Sequence, residues 1–429
     1  MSRRRPTGRL LHLADVSKRP DPTRPPAASP ITPRLLVCLG LSQIVGWGAL
    51  HYLIGLFAAP IGAELGWSPT FVQGGFSLAL VVMGLCSWRV GAWIDRHGGR
   101  TAMMTGCWLG AAGCLLLATM HGRAQFALAW VFIGLAMRLA LYDAAFASLA
   151  YVAGTGARRH LAFVTLFGGF ASTVFWPLGQ ALIHTLGWRG ALVAYAGLLA
   201  AASLLHLALP ASRQARGGGA DAAAPADSTA PAAPVVPVPG AYRLFAVIAL
   251  TVLFLQTAMA AQFLELLHGR GWDAATTVTL SMLLGVGQFA GRFSVAAWAH
   301  RVDAVKLNLM PGAYVFLAFV LYLVAGRTLW GAGAFAFLYG AGNGLATITR
   351  GAIPLVIFEA GAYGRTVGAV LRPALAAAAV APMAFAFIIA RAGHDAAAVT
   401  ALGISAATLC ASWLLHRRVL QARLQAAAA

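Results

Sequence analysis

Charge is what this sequence lacks most. Asp, Glu, Lys and Arg make up 10% of its 429 residues, against about a quarter in an ordinary globular domain. With 60% hydrophobic residues, the chain has too little polar surface for a soluble protein. Acidic residues are the scarcer sign, 12 against 31 Lys and Arg. The five cysteines, Cys38, Cys86, Cys107, Cys114 and Cys410, all lie in apolar runs with no CxxC. They read as small packing residues, with neither a disulfide framework nor a metal site expected. The chain has no GxxxxGK[ST], HExxH or GxSxG, so nucleotide hydrolysis, zinc-protease and serine-hydrolase chemistry lack their residues. It is not expected to be an enzyme or to need a cofactor.

What is present is length in the apolar runs. From about residue 35 they recur at roughly 20 residues each, the length of an α-helix crossing a ~30 Å hydrocarbon core. The ten-residue alternation of a membrane β-barrel is missing. The pattern predicts an all-α membrane protein with twelve spans, near 35–60, 70–94, 101–120, 125–152, 160–185, 189–209, 242–267, 274–299, 304–325, 329–357, 363–390 and 396–416. Residues 1–34 read as a disordered basic tail, 35–210 and 241–416 as two six-helix halves, 211–240 as a flexible Gly/Ala/Pro linker, and 417–429 as a second tail.

With both termini cytoplasmic, most Lys and Arg fall on the cytoplasmic side, while Arg123, Arg189, Arg270, Arg327 and Arg391 face outward. The net charge of +19 is then mostly topology, and no nucleic-acid partner is implied. The expected setting is a bacterial inner membrane, with the lipid bilayer and a small molecule as partners and the chain a monomer.

The halves look duplicated at an offset of about 205 residues, as internal repeats do. "GAWIDR" (91–96) meets "AAWAHR" (296–301), Pro177 meets Pro382, and "GWRGALV" (187–193) meets "GHDAAAV" (393–399). Together with Gly91-x-x-x-Asp95-Arg96-x-Gly98-x-Arg100 between spans 2 and 3, this organisation resembles the major facilitator superfamily over about residues 35–416. The resemblance implies two six-helix halves rocking about a midplane site. It also implies a gating role for the motif: Gly91 for close helix approach, Asp95 facing a helix N-terminus and basic groups, Arg96 and Arg100 completing the cluster.

"GWGALHY" (46–52), "RRHLAFVTLFGGFAST" (158–173), "GWR" (187–189) and "GQFAGRF" (287–293) are similar to the monocarboxylate and oxalate/formate group. In that group an arginine of span 8 is implicated in holding the substrate carboxylate, the place taken here by Arg292. Gln288 stands where an acidic partner would be, and span 1 offers His51 and Tyr52 in place of a lysine.

An ionisable residue near a span centre costs about 2.5–3.5 kcal/mol on insertion scales and is functional by default. Arg138, Arg292 and Arg350 are such residues, with Asp143 as the central carboxylate. Guanidinium pairs bidentately with carboxylate, which points to an organic anion. Candidate substrate contacts are Arg292, Arg350, Arg138, Asn343, Gln288, Tyr52 and Trp176; Asp143 and His51 are candidates for proton coupling. Arg138 and Asp143, five apart, are expected to point about 140° apart on one helix. Asn343 and Arg350 share a face, and Gly340 and Gly344 have small-xxx-small spacing. The leading expectation is secondary transport of a small organic anion, ion-coupled or by exchange. Efflux of hydrophobic drugs and a non-transporting membrane sensor are the alternatives.

Overall fold

Two Ser/Thr-Pro pairs start the first two spans. Thr32 Oγ1 accepts the Leu35 amide at 3.2 Å with Pro33 in the first turn, and Ser68 Oγ accepts the Phe71 amide at 3.3 Å with Pro69 following. Each hydroxyl satisfies one of the free amides of a helix start, and proline fits there because it has no amide to satisfy.

The structure, a computed structural model, describes residues 31–153, 157–210, 238, 240–298, 304–357 and 363–428. Residues 1–30 of the expected tail and nearly all of the linker lie outside the described residues, and the last residues of that expected tail, Pro33 and Arg34, already belong to the first helix.

Span 1 is Pro33–Leu65, span 2 Pro69–His97 and span 3 Gly99–Ala118. Span 4 is Arg123–Ala140 followed, after an extended Leu141 (φ −85°, ψ −169°), by Tyr142–Ala153. Spans 5 and 6 comprise Ala157–Gly169 and Ala171–Leu205, the latter broken at Gly187. Span 7 is Ala241–His268 and span 8 Ala274–Trp298. Span 9 is Ala304–Leu307 with Leu309–Ala325, and span 10 is Leu329–Ile357. Spans 11 and 12 together run Tyr363–Ala428 and are broken at Gly393. The twelve expected spans are therefore present.

The breaks confirm the duplication in the backbone. Gly187 has φ +69° and Gly393 φ +85°, a region that only glycine enters without strain, and the two align in the repeat. Beyond each break the halves use the same device with opposite polarity. In the first half Arg189, opening span 6, pairs with Glu64 of span 1 at 2.9 Å, and Trp188 Nε1 donates to Glu64 at 2.5 Å. In the second half Arg270, after span 7, pairs with Asp395, opening span 12, at 2.8 Å.

Asp273 caps span 8 by accepting the Thr276 amide at 2.7 Å and the Thr276 hydroxyl at 3.1 Å. The Thr276 amide bond, then that from its hydroxyl, holds the carboxyl below the usual carboxylate range. A lowered native pKa stabilises above the unfolded value and loses that contribution as pH falls through the lowered one, so the cap persists into mild acid.

Span 12 extends past the expected end near 416 through to Ala428. Leu415, Val419 and Ala422 are buried along this stretch, and the surrounding Arg, Gln and Ala favour helix, so an apolar face keeps packing where a tail was expected.

Each half has its own core. Trp130, Phe57, Phe76 and Tyr195 centre the first; Phe263, Phe319, Tyr322 and Phe335 centre the second. Across the halves spans 5 and 8, 2 and 11, and 1 and 7 pack together. Tyr52 and Trp176 of the first half belong to the core of the second.

Candidate functional site

Span 8 is brought against span 10 by a glycine seam. A Cβ added at Gly344 would come within 3.0 Å of the Gln288 Cα, and one at Gly291 within 3.1 Å of the Ala341 Cα. The expected close approach at Gly340 and Gly344 is met by Gly287 and Gly291 on the facing helix. One turn beyond Gln288 on this anchored helix sits Arg292.

Arg292 is buried, 5% exposed, at the contact between the halves. Its Nη1 donates to the Thr165 carbonyl of span 5, and its Nη2 lies 3.5 Å from Gln288 Oε1. Gln288 Nε2 in turn donates to the Tyr52 hydroxyl of span 1 at 3.3 Å. The Tyr142 hydroxyl of span 4 donates to the same Thr165 carbonyl at 3.1 Å. Arg292 Nε is buried with no partner, and among the described residues no carboxylate lies within ion-pair distance of this guanidinium. Gly169 makes the room, since a Cβ there would stand 2.7 Å from Arg292 Nη1. Spans 1, 4, 5 and 8 thus converge on one buried cation whose hydrogen-bonding neighbours among the described residues are neutral.

Trp176 is nearly inaccessible; its Nε1 donates to the Tyr52 carbonyl at 3.4 Å and its ring stacks on Phe263 of span 7 at 5.9 Å. It closes the site on one side. His51 is buried in the π-helical turn Trp47–His51, between the rings of Trp47, Tyr52 and Phe76.

Arg138 and Asp143 do not point apart. Their ion pair is 2.6 Å long, because the helix stops at Ala140 and restarts at Tyr142, which resets the side-chain direction that an unbroken helix would impose. Arg138 Nη2 also donates to the Ser87 carbonyl of span 2 at 3.3 Å. The Asp143 side chain is 63% exposed.

Asn343 and Arg350 share a face as expected, but that face lines adjoining cavities inside the second half, among spans 7, 9, 10 and 12. Asn343 Oδ1 accepts from Gln256 Nε2 there. Packing against spans 9 and 12 turns Asn343 away from Arg292, so these two candidates do not form one site.

Residues 36–371 match the sequence profile of the Major Facilitator Superfamily. The chain belongs to that superfamily. Among solved structures of the superfamily fold, a point-mutant form of the nucleoside transporter NupG is similar with a TM-score of 0.68 and 11% identity, over 90% of this chain and 99% of that one. A bacterial homologue of the human lysosomal transporter Spinster, inward-facing and unoccupied, is similar with a TM-score of 0.64 and 13% identity, over 91% and 99%. No curated protein sequence matches the chain closely enough to count as a relative.

The superfamily motif between spans 2 and 3 is only partly visible. Gly98, at φ +78°, makes the turn and donates its amide to the Ile94 carbonyl at 2.7 Å. Arg100 Nη2 donates to the Leu207 carbonyl at the end of span 6, at 3.0 Å. Arg96 is exposed. The Asp95 side chain lies outside the described residues, and so do residues 299–301 of the echo at 296–301. No described atom lies within 4 Å of a Cβ built at Gly91, so the close helix approach expected there is not found among them.

Tyr142 and Thr165 escaped the sequence reading. A backbone carbonyl has no sequence signal, and a tyrosine beside an aspartate resembles any span-end aromatic.

Proposed function

We propose that the chain is a secondary transporter that moves a small carboxylated anion between its two halves by alternating access. One observation carries this reading: Arg292 is a buried cation, partnered by a carbonyl and an amide oxygen and, among the described residues, by no carboxylate. A substrate carboxylate offers this guanidinium a charge-assisted, bidentate partner in place of a neutral one. Because the Thr165 carbonyl belongs to the opposite half, substrate competes with a bond that ties the halves together. Binding then favours the state in which that bond is released, the differential affinity that a population shift requires.

Gln288 and Tyr52 orient the guanidinium from one side and Tyr142 from the other. Arg138 and Arg350 add positive charge to the spans of the two halves. Asp143 suits a coupling proton better than His51, because its carboxylate is 63% exposed whereas His51 is buried among aromatic rings. The Asp95 motif gates the cytoplasmic end, and the chain works as a monomer in a bacterial inner membrane with both termini cytoplasmic.

The test is transport in proteoliposomes under an imposed pH gradient, with labelled carboxylates, nucleosides and lipophilic drugs as the panel. Carboxylates are expected to move, and Arg292→Gln to abolish their transport while inserting normally. Carboxylate transport unchanged in this variant, or movement of nucleosides or drugs alone, would sink the assignment.

A further inference from the structure

Where span 12 ends beside the start of span 7, the bundle carries a surface that the anion site does not use. The helix from Gly393 to Ala428 is about 50 Å long at a rise of 1.5 Å per residue, whereas a hydrocarbon core is ~30 Å thick. Its last turns therefore pass through a lipid boundary. One face packs there: Leu415 and Val419 share a cluster with Ala241, Phe245 and Ile248 of span 7, and Ala422 is buried further along.

The opposite face is open. Trp413, Arg417, Leu420 and Leu424 recur at spacings of four, three and four, which sets them in one stripe along the helix. Trp413, Leu420 and Leu424 are 46%, 49% and 62% exposed, and the Arg417 guanidinium lies 4.8 Å from the centre of the Trp413 ring. Arg418 and Arg423 are exposed on either side of this stripe.

Span 7 adds to the same surface. Arg418 Nη1 lies against Gly240, where a Cβ would collide with it, and Tyr242 and Arg243 are exposed in the turn that follows. The sequence has no Asp or Glu from 396 to 429 or from 228 to 264, so these stretches bring no carboxylate to offset the guanidinium groups. The surface thus sets cations beside exposed tryptophan and leucine. A bare inorganic anion matches only the cations, and a second copy of the chain would bring like charges together. A phospholipid with a net negative headgroup matches both features: its phosphate pairs with guanidinium, its acyl chain covers the apolar side chains, and tryptophan is favoured at this depth.

We propose that the end of span 12, with the first turn of span 7, is a binding surface for an anionic phospholipid. Arg417 holds the phosphate, and the acyl chain lies along Trp413 and Leu420. Arg243, Arg418 and Arg423 strengthen the attraction around the headgroup. The lipid touches both helices, so it fastens the last span of the second half to the first. This role is independent of which solute the chain carries.

The purified full chain, stripped of lipid in detergent, is titrated with phosphatidylglycerol and with phosphatidylcholine, and bound lipid is counted by native mass spectrometry. Phosphatidylglycerol is expected to bind about five- to thirtyfold more tightly, the effect of one or two arginines at an anionic headgroup. Arg417→Gln combined with Arg423→Gln brings that ratio close to one. Arg123→Gln, which removes a guanidinium 5.2 Å from Phe71 at the start of span 4, keeps it. The ratio is read within each variant, so a smaller folded fraction cancels. Should the double variant fail to fold, the wild type still decides: about 0.5 M NaCl must lower the phosphatidylglycerol affinity more than that of phosphatidylcholine. The proposal is overturned if the wild type does not separate the two lipids, if the double variant keeps the ratio, or if Arg123→Gln loses it as well. It also falls if inorganic phosphate displaces phosphatidylglycerol, which would make the site one for a free anion. A lipid-free dimer that Leu420→Ser dissolves would overturn it too, by assigning the stripe to a second copy of the chain.

Discussion

At the scale of single residues, the site depends on space as much as on charge. Gly169 leaves room for the Arg292 guanidinium, so Gly169→Val should raise the KM for carboxylates by about tenfold, the effect of displacing one charge-assisted contact. Transport kinetics beside a measure of membrane insertion would check this; an unchanged KM would mean that Arg292 does not meet substrate from this side.

The Arg138–Asp143 pair makes a second prediction at this scale. Asp143→Asn strands a partly buried guanidinium, but the carboxylate is 63% exposed, so solvent discounts the loss to about 1–2 kcal/mol. A double variant that also carries Arg138→Gln should recover most of it, read as thermal stability in detergent. Equal losses in the single and double variants would deny the coupling. Arg292 was legible in the sequence because a charge in an apolar run stands out by composition alone. The Arg138–Asp143 contact was not, because "RLALYD" has no Pro or Gly to announce the break at Leu141; the ring contacts of Tyr142 with Trp47 and Phe146 accompany it.

At the scale of elements, glycine seams and end clamps set helix against helix. Gly344→Leu would drive a side chain into the span 8 backbone beside Gln288. Overpacking of this kind costs about 1–3 kcal/mol, so a lower melting temperature and weakened carboxylate binding should appear together. A lower melting temperature with intact binding would separate the seam from the site.

Arg189 ties three spans, donating to the Ala118 and Met120 carbonyls at 2.7 and 3.0 Å as well as to Glu64. Arg189→Ala should destabilise the first half by about 1–2 kcal/mol, more than an ordinary exposed ion pair contributes. Melting curves decide, and a change below about 0.5 kcal/mol would reduce Arg189 to such a pair. The seam could be read from the spacing of Gly340 and Gly344, since small residues four apart imply close approach. The clamps could not, because the repeat aligns Arg189 with Asp395, and the reversed charge hides their shared role until both partners are seen.

At the scale of the whole molecule, contacts between the halves gather late in spans 1 and 7 and early in span 2. A Cβ at Gly55 would come within 2.8 Å of the Ala260 carbonyl, and one at Gly74 within 3.8 Å of the Met383 sulfur. Trp176 stacks on Phe263 nearby. This end of the bundle is sealed, so Gly55→Leu should prop it open. Hydrogen exchange of the amides across residues 258–264 would rise if so, and unchanged protection would show that the seal is held elsewhere.

Composition and hydrophobic period by themselves determined that the chain is a twelve-span helical bundle of two duplicated halves. Both properties are local: a run of apolar residues must become a helix in hydrocarbon to satisfy its own backbone, and a repeat survives in the order of residues. Which polar groups meet was decided only by the tertiary structure. Arg292 finds the carbonyl of Thr165 across 127 positions, and Asp143 finds Arg138 through one extended residue. Contacts of that kind depend on how helices break, tilt and dock, which no short window of the sequence contains.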